Sequence, residues 1–409
     1  MARHVAILTD SFPPDIRSSA ILMHAMAEGL QSRGYDVTVL TVTRGGPVAV
    51  RAGGIRVLRV PMPGLPLHGV SAVRKGVAWL ALPISTTLRA FTAMRRPDAV
   101  WVYSPPLTLG LAAAAIRAVH RCRVILNVQD LFPDNAVDLG LLRGPLEIAF
   151  FQQIEDFCYR NADRIVVHSD AHVARLAEHP ALAARRPDIR VIPNFVDVDA
   201  VGSAAPDPEL KQRLGLSGRF VFVFGGVMGF AQDLDLIVEA ARRLRERKDI
   251  GFLLVGDGVR RATAQRMAGP LDNLRFHDPV PPAVYHSWLR SADAGLVTLR
   301  AETATPVVPS KTLTYMAAGL PVVAAIPRAS DAVPLLSAAR GGVWVPAGDA
   351  AALAAACAAV ASDPASARAM GRRAREFCIA HFSAPRVLDR IVQLLDEVVG
   401  IPHGRDGHP

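Results

Sequence analysis

Short runs rich in Val, Ile and Leu recur along almost the whole chain, and a longer stretch of helical periodicity follows nearly every one of them. That alternation predicts parallel βαβ units rather than a sandwich or a bundle. In the first half the runs are HVAIL (4–8), DVTVLTV (36–42), IRVLRV (55–60), AVWVYS (99–104), RVILNV (123–128), RIVVHS (164–169) and RVIPN (190–194). A second series comprises RFVFVFGG (219–226), GFLLVGD (251–257), LRFHDP (274–279), AGLVTL (294–299), PVVAAI (321–326) and GVWVP (342–346). The expected fold class is α/β, with two doubly wound, Rossmann-like parallel-sheet domains. The expected boundaries are 1–200 for the first, 201–217 for a polar, proline-bearing linker and 218–383 for the second. A helix over 384–400 should return to the first domain, and the polar tail 401–409 should be disordered. Ligands of open α/β sheets sit off the carboxyl ends of the strands, so two facing sheets imply a ligand cleft between them.

At 409 residues, 51% apolar and 20% charged, the chain lies far from the composition of disorder and is long enough for two domains. Cys122, Cys158, Cys357 and Cys378 are widely spaced, with no metal-ligand or disulfide pattern. The opening MARHVAILTDSFPP turns polar after the short run HVAIL, too short for a secretory signal, so a cytoplasmic location is expected. GVAWLALPI (76–84) falls well short of the ~20 residues that span a bilayer. A net charge of +9 suits anionic membranes, nucleic acid or phosphorylated ligands, although the arginines are dispersed and could equally reflect a GC-rich genome. No nucleic-acid partner is expected.

Two segments carry chemistry in the second half. Run 219–226 continues into GGVMGFAQDLDLIVEAARRL, where Gly225, Gly226 and Gly229 permit close backbone approach before an amphipathic helix. This is the outline of an anion cradle, since amides at a helix start attract phosphate without a lysine; close packing alone is the competing reading. The spacing matches neither a dinucleotide fingerprint nor a P-loop. VVPSKTLTYMAAGLPVVAA (307–325) reads as a loop, a helix opened by Pro309, Ser310 and Lys311, a stop at Gly319 to Pro321 and a buried strand. An ordinary αβ unit explains the Gly and Pro but not the Ser-Lys-Thr face.

PSKTLTYMAAGLPVVAA resembles the signature of retaining GT-B glycosyltransferases, family four of the sequence classification. VIPNFVD (191–197), LLVGDG (253–258) and LTDSFPP (8–14) are similar to further landmarks of that family in the expected order. The VQDLFP and PSKTLTY elements look like the sub-branch that includes many bacterial polysaccharide sugar transferases. The resemblance implies that Gly226 to Gly229 and a helix start at Gln232 lie against the donor diphosphate, and that Asp257 and Gly258 border the nucleobase. Ser310 and Lys311 would sit beside phosphate and ribose, where a cation offsets the leaving group. Loop 305–308, including Val307 and Val308, would offer amides to the sugar and β-phosphate.

Two departures stand out. The glutamates that many members place eight residues apart fall on Pro306 and Thr314, so the ribose contact is reduced to one hydroxyl; Glu302 is out of register. The basic residues expected after the glycine turn are also missing, so phosphate neutralisation should lean on Lys311, helix dipoles, Arg260 or Arg261.

On the first-domain side, LNVQDLFPDNAVDLGLL (126–142) places Gln129, Asp130, Asp134 and Asn135 past a strand end. Asp130 matches the family's aspartate and is the candidate for a catalytic or acceptor-positioning role, or else a loop cap; Gln129 stands where many relatives have histidine. In DSFPPDIRSSA (10–20), Ser18 and Ser19 could cap a helix, and Arg17 is read as free to meet acceptor or phosphate. Arg17, Ser18, Asp134 and Asn135 are thus the acceptor-side candidates. DLD (233–235) and DVD (197–199) have the Asp-x-Asp spacing of metal sites in another glycosyltransferase fold but read as helix caps, and no metal or cofactor is expected. Segment 70–96, apolar with arginines at its ends, reads either as a core helix pair or as an interfacial patch meeting a membrane.

The expected function is metal-independent transfer of a sugar from a nucleotide diphosphate, a UDP-sugar being the expected donor, to a saccharide, lipid-linked or small-molecule acceptor with retained configuration. The rivals are a degenerate partner subunit, suggested by the missing glutamates, and a sugar-nucleotide 2-epimerase, whose carboxylate and histidine array is not found.

Overall fold

The computed structural model describes residues 2–15, 17–43, 49–61, 72–183, 188–303, 306 and 308–400. The chain divides into two units, Met1–Asn194 with Pro385–Pro409, and Phe195–Ala384.

In the first unit the elements run β1 (His4–Leu8), α1 (Ser18–Gln31), β2 (Asp36–Thr43), β3 (Ala49–Ala52), β4 (Ile55–Pro61), α2 (Ala72–Ala93), β5 (Ala99–Ser104) and α3 (Leu109–His120). Then come β6 (Arg123–Val128), α4 (Asp134–Asp138), α5 (Pro145–Asn161), β7 (Arg164–Val167), α6 (Asp170–Ala177), α7 (Pro180–Ala183) and β8 (Asp188–Val191). The eight strands lie in the order β3-β4-β2-β1-β5-β6-β7-β8. All pairings are parallel except β3 with β4. β1 is buried along its whole length, as a central parallel strand covered on both faces must be. Segment 70–96, read either as a core helix pair or as an interfacial patch, holds one helix, α2, that carries Pro83 inside it; residues 70 and 71 lie outside the described part.

The second unit holds α8 (Val198–Gly202), α9 (Leu210–Arg213), β9 (Phe220–Gly225), α10 (Leu234–Arg243), β10 (Ile250–Val255), α11 (Arg261–Ala268), β11 (Leu274–His277) and α12 (Pro282–Ser291). It continues with β12 (Ala294–Thr298), α13 (Ser310–Ala318), β13 (Val322–Ile326), α14 (Ala332–Ala339), β14 (Gly342–Pro346), α15 (Ala350–Ser362) and α16 (Pro364–Phe382). Its sheet runs β11-β10-β9-β12-β13-β14, all parallel. Alternation along central β9 sends Phe222 and Phe224 into one core and Val221 and Val223 into the other, so helices seal both faces.

The stretch 201–217, expected as a linker, is part of this unit. Val201, Leu210 and Leu216 are buried in its core, and Lys211 pairs with Asp293 at 2.5 Å. Three apolar anchors spaced along a polar stretch suffice to tie it down. The last helix, α17 (Ala384–Gly400), packs in the first unit. It buries Val387, Leu388, Ile391, Leu394, Leu395 and Val398, and a Cβ on Gly29 would lie 2.4 Å from Leu388. Arg33 meets Asp389 at 2.7 Å, and Arg3 and Tyr35 both bond Asp396. The tail 401–409 lies outside the described residues.

Candidate functional site

In the second unit two glycine loops are laced together off the ends of β9 and β10. The Gly226 amide donates to Val255 O (2.9 Å), Met228 N to Asp257 O (2.8 Å) and Arg260 N to Met228 O (3.0 Å). A Cβ on Gly256 would lie 1.9 Å from Gly226 O, and one on Gly258 2.5 Å from Met228 O; both residues also have positive φ. Only glycine fits there. Gln232 does not open a helix. Its Oε1 accepts from Gly229 N at 3.2 Å, which fixes the turn, while Asp233 caps α10 by accepting from Leu236 N. Asp257 is exposed and accepts from Gly258 N at 2.8 Å.

α13 supplies the cation. Pro309 precedes it without a side-chain cap, so amides at its first turn face outward from an uncapped end. Lys311 has no carboxylate partner among the described residues; its Nζ lies 4.7 Å from the centroid of the Phe224 ring, and burial pulls its pKa down to about 8. A half-buried ammonium with a ring face and no described carboxylate beside it favours an anionic ligand. Ser310 is exposed, Val308 is half-buried, and Thr314 donates its hydroxyl to Ser310 O within its own helix at 3.3 Å. Val307 and residue 305 lie outside the described part of the chain.

Tyr315, which sequence reasoning did not single out, joins these two features. Its fully buried hydroxyl accepts from Gly225 N at 2.9 Å and meets the hydroxyl of Tyr285, and its ring lies where a Cβ on Gly295 would stand. The helix bearing Lys311 is thereby fixed to the start of the glycine turn. At the other end of α13, Arg290 donates to Ala318 O and Arg375 to Ala317 O, so two guanidiniums satisfy its terminal carbonyls.

Arg260 and Arg261 are engaged elsewhere, against the expectation that they neutralise phosphate. Arg260 pairs with Asp235 at 2.6 Å and Arg261 with Asp278 at 2.5 Å. Asp197 caps α8 through Ala200 N. Both Asp-x-Asp sequences are thus occupied in caps and a salt bridge. Among the described residues no group of His, Cys, Asp or Glu is placed to hold a metal ion.

In the first unit Asp130 follows β6. It accepts no hydrogen bond from a described residue, and burial raises its pKa, with His172 opposing the rise. His172 is buried on α6, its Nδ1 2.9 Å from the capping Ser169 hydroxyl. Tyr103 lies close enough for Asp130 and Asp10 to act on it, and burial, the larger cause, pushes the pKa of its hydroxyl well up. Gln129 forms a reciprocal amide pair with Asn194, at 2.9 and 3.2 Å, which locks the strand end; Asn194 is a residue whose role the sequence hid. Arg17 is not free. It bridges Asp10 (3.0 Å) and Asp15 (2.8 Å), and Ser18 stands exposed at the first turn of α1. Asp134 is paired with Arg175 at 2.8 Å, whereas the buried Oδ1 of Asn135 has no hydrogen-bond partner among the described residues.

The Glycosyl transferase 4-like domain family matches residues 20–194, and the Glycosyl transferases group 1 family matches residues 218–363. Both halves of the chain are glycosyltransferase domains. A similar protein is the probable glycosyltransferase WbjE of Pseudomonas aeruginosa, 25% identical over 273 residues. That alignment takes in 63% of this chain and 64% of WbjE, less than two thirds of the relative's length. Among solved structures, sucrose-phosphate synthase from Thermosynechococcus elongatus superposes with a TM-score of 0.75 at 18% identity, covering 97% of this chain and 99% of that one. Anabaena Alr3699/HepE, solved in complex with UDP and glucose, gives 0.70 at 15% identity, covering 97% and 100%. The fold is therefore GT-B, with two parallel-sheet glycosyltransferase domains. Asp130 lies in the first matched span; the glycine loops, Tyr315 and Lys311 lie in the second.

Proposed function

We propose that the chain is a metal-independent glycosyltransferase that moves a sugar from a nucleoside diphosphate, UDP in the first instance, onto a saccharide, lipid-linked saccharide or natural-product acceptor with retained anomeric configuration. The observation that carries this reading is the half-buried Lys311 ammonium at the uncapped start of α13, with no carboxylate among the described residues to neutralise it. In the reaction the bond from the anomeric carbon to the β-phosphate oxygen breaks. A bond to the acceptor oxygen forms on the same face, and the acceptor proton passes to the departing phosphate. Negative charge grows on that phosphate, so Lys311, the amides of Ser310 and its neighbours and the macrodipole of α13 act most strongly in the transition state. Gly226, Gly229, Gln232, Asp257, Gly258, Val308 and Thr314 form the remaining donor contacts in this reading. Asp130 is assigned to the acceptor hydroxyl or a donor-sugar hydroxyl, with Asn135 beside it. A lipid-linked acceptor would bring the chain, on the cytoplasmic side, to a membrane through 70–96.

Calorimetric titration with UDP, GDP and dTDP tests the reading. One of them should bind, and Lys311→Ala should weaken binding and lower turnover by roughly 10²-fold without loss of fold. Silence with all three would favour a degenerate partner subunit, the reading suggested by Pro306 and Thr314 at the usual glutamate positions. Product configuration, read by nuclear magnetic resonance, tests retention.

A further inference from the structure

The arginines are dispersed in sequence, yet the charge excess is not. Between Val37 and Gln129 stand twelve Arg and Lys and a single acid, Asp98, so this stretch carries +11 of a chain whose net charge is +9, and the remainder sums to −2. The whole positive excess belongs to the part of the first unit that builds β3, β4, α2, β5 and α3.

Its outer face is also apolar. Ile84, Leu88 and Phe91 fall on one side of α2 at 63%, 60% and 41% exposure, and Val119 on neighbouring α3 is 61% exposed. The Phe91 ring meets His120 of α3 at 5.8 Å, so the two helices present one continuous patch. Arginines border it where α2 and α3 end. Arg96 and Arg121 are exposed, and no described carboxylate pairs with either; Arg95 reaches Asp36 at 3.1 Å. At the same end of the sheet Arg51 and Arg56 stand directly opposite each other on the antiparallel β3–β4 pair, again without a carboxylate. They share the face of Leu58, which packs with Leu82 and Ala90 of α2. Like charges placed opposite one another across strands repel unless an anion comes between them.

We infer that this face docks on an anionic lipid bilayer, the apolar row entering the headgroup boundary while the guanidiniums meet lipid phosphates. A second copy of the chain is the poorer occupant, because two faces of the same strong sign repel. Nucleic acid would satisfy the arginines but leave Ile84, Leu88 and Val119 without partners. The inference takes its membrane from the reading above but does not need the transfer reaction: the docking face is on the first unit, and the proposed diphosphate site is on the second.

Vesicle sedimentation of the full chain tests it, with vesicles of phosphatidylcholine alone and with phosphatidylglycerol at about 3:1, where each arginine near the surface contributes roughly fivefold in affinity. The chain should sediment with the anionic vesicles and not with the neutral ones, and should be released at about 0.5 M salt. The double variant Arg96→Gln/Arg121→Gln should bind roughly 25-fold more weakly, and Leu88→Asp should lose sedimentation. Both should keep the circular dichroism and the nucleotide affinity of the parent, which separates failure here from failure of the donor site. Absence of sedimentation, equal binding to neutral vesicles, or indifference to the variants would overturn the inference. So would a dimer, seen by ultracentrifugation, that Leu88→Asp dissolves.

Discussion

If the Lys311 ammonium is the principal cation for the donor diphosphate, nucleotide affinity must follow its protonation. Burial against Phe224 holds its pKa at about 8 in the free protein. A bound diphosphate favours the charged form, so the pKa rises on binding and affinity is full below the free value. Above it, each molecule must first take up a proton, and affinity falls toward tenfold per pH unit. With a free pKa near 8, the protonated fraction drops from about nine tenths at pH 7 to about one tenth at pH 9, so the Kd for UDP should rise roughly tenfold over that span. Calorimetry in two buffers of different ionisation enthalpy reads both the affinity and the proton taken up. Lys311→Met, which keeps the apolar stem on Phe224, should bind more weakly but without this slope. A Kd flat from about pH 7 to 9 in the parent, or an equal slope in Lys311→Met, would refute the assignment.

Asp130→Asn should depress turnover by about 10²-fold with nucleotide affinity unchanged, by steady-state kinetics beside titration; turnover within a factor of about two would reduce Asp130 to a loop residue. Tyr315→Phe leaves the buried Gly225 amide without an acceptor and should cost about 1–3 kcal/mol in urea denaturation, with weaker nucleotide binding as the turn loosens. Dialysis against chelator should leave transfer intact; loss of activity restored by magnesium or manganese would show a metal requirement. His179 is raised above its usual pKa mainly by its hydrogen bond to Glu155. Its stabilisation is therefore complete below the unfolded value near 6.5 and is lost as pH rises through the higher folded value. The melting temperature should fall across that window in the parent and less in His179→Gln.

The sheets were legible because the central parallel strands, buried on both faces, are nearly unbroken apolar runs; β9 and β10 stand out from the sequence for that reason. β3 did not, since Ala-Val-Arg-Ala is too short and mixed to show a period, and it is a strand only because β4 offers it an edge. Glycines 225, 226 and 229 announced one tight turn, but not that it is laced to the glycine loop at 256–258. Charge was visible and partnership was not: Arg17, Arg260, Arg261 and Asp134 read as available ligands, yet each is held by an opposite charge brought close by the fold. Lys311 differs from them only in what does not surround it, which no local pattern encodes. The contacts of Tyr315 with Gly225 and of Gln129 with Asn194 join residues 90 and 65 positions apart, beyond the reach of periodicity.

The placement of α17 also bears on how the chain is made. The first unit contains the last helix, so a ribosome that has finished residues 1–194 has not yet released everything that unit needs. Until Leu388 arrives, the surface around Gly29 on α1 is uncovered, and the second unit, continuous from Phe195 to Ala384, can close its own core first. The first unit is thus sealed by a helix made after the second unit, and a nascent chain stalled just after Ala384 would hold one unit whose segments are all made and one with its α1 side still open to water.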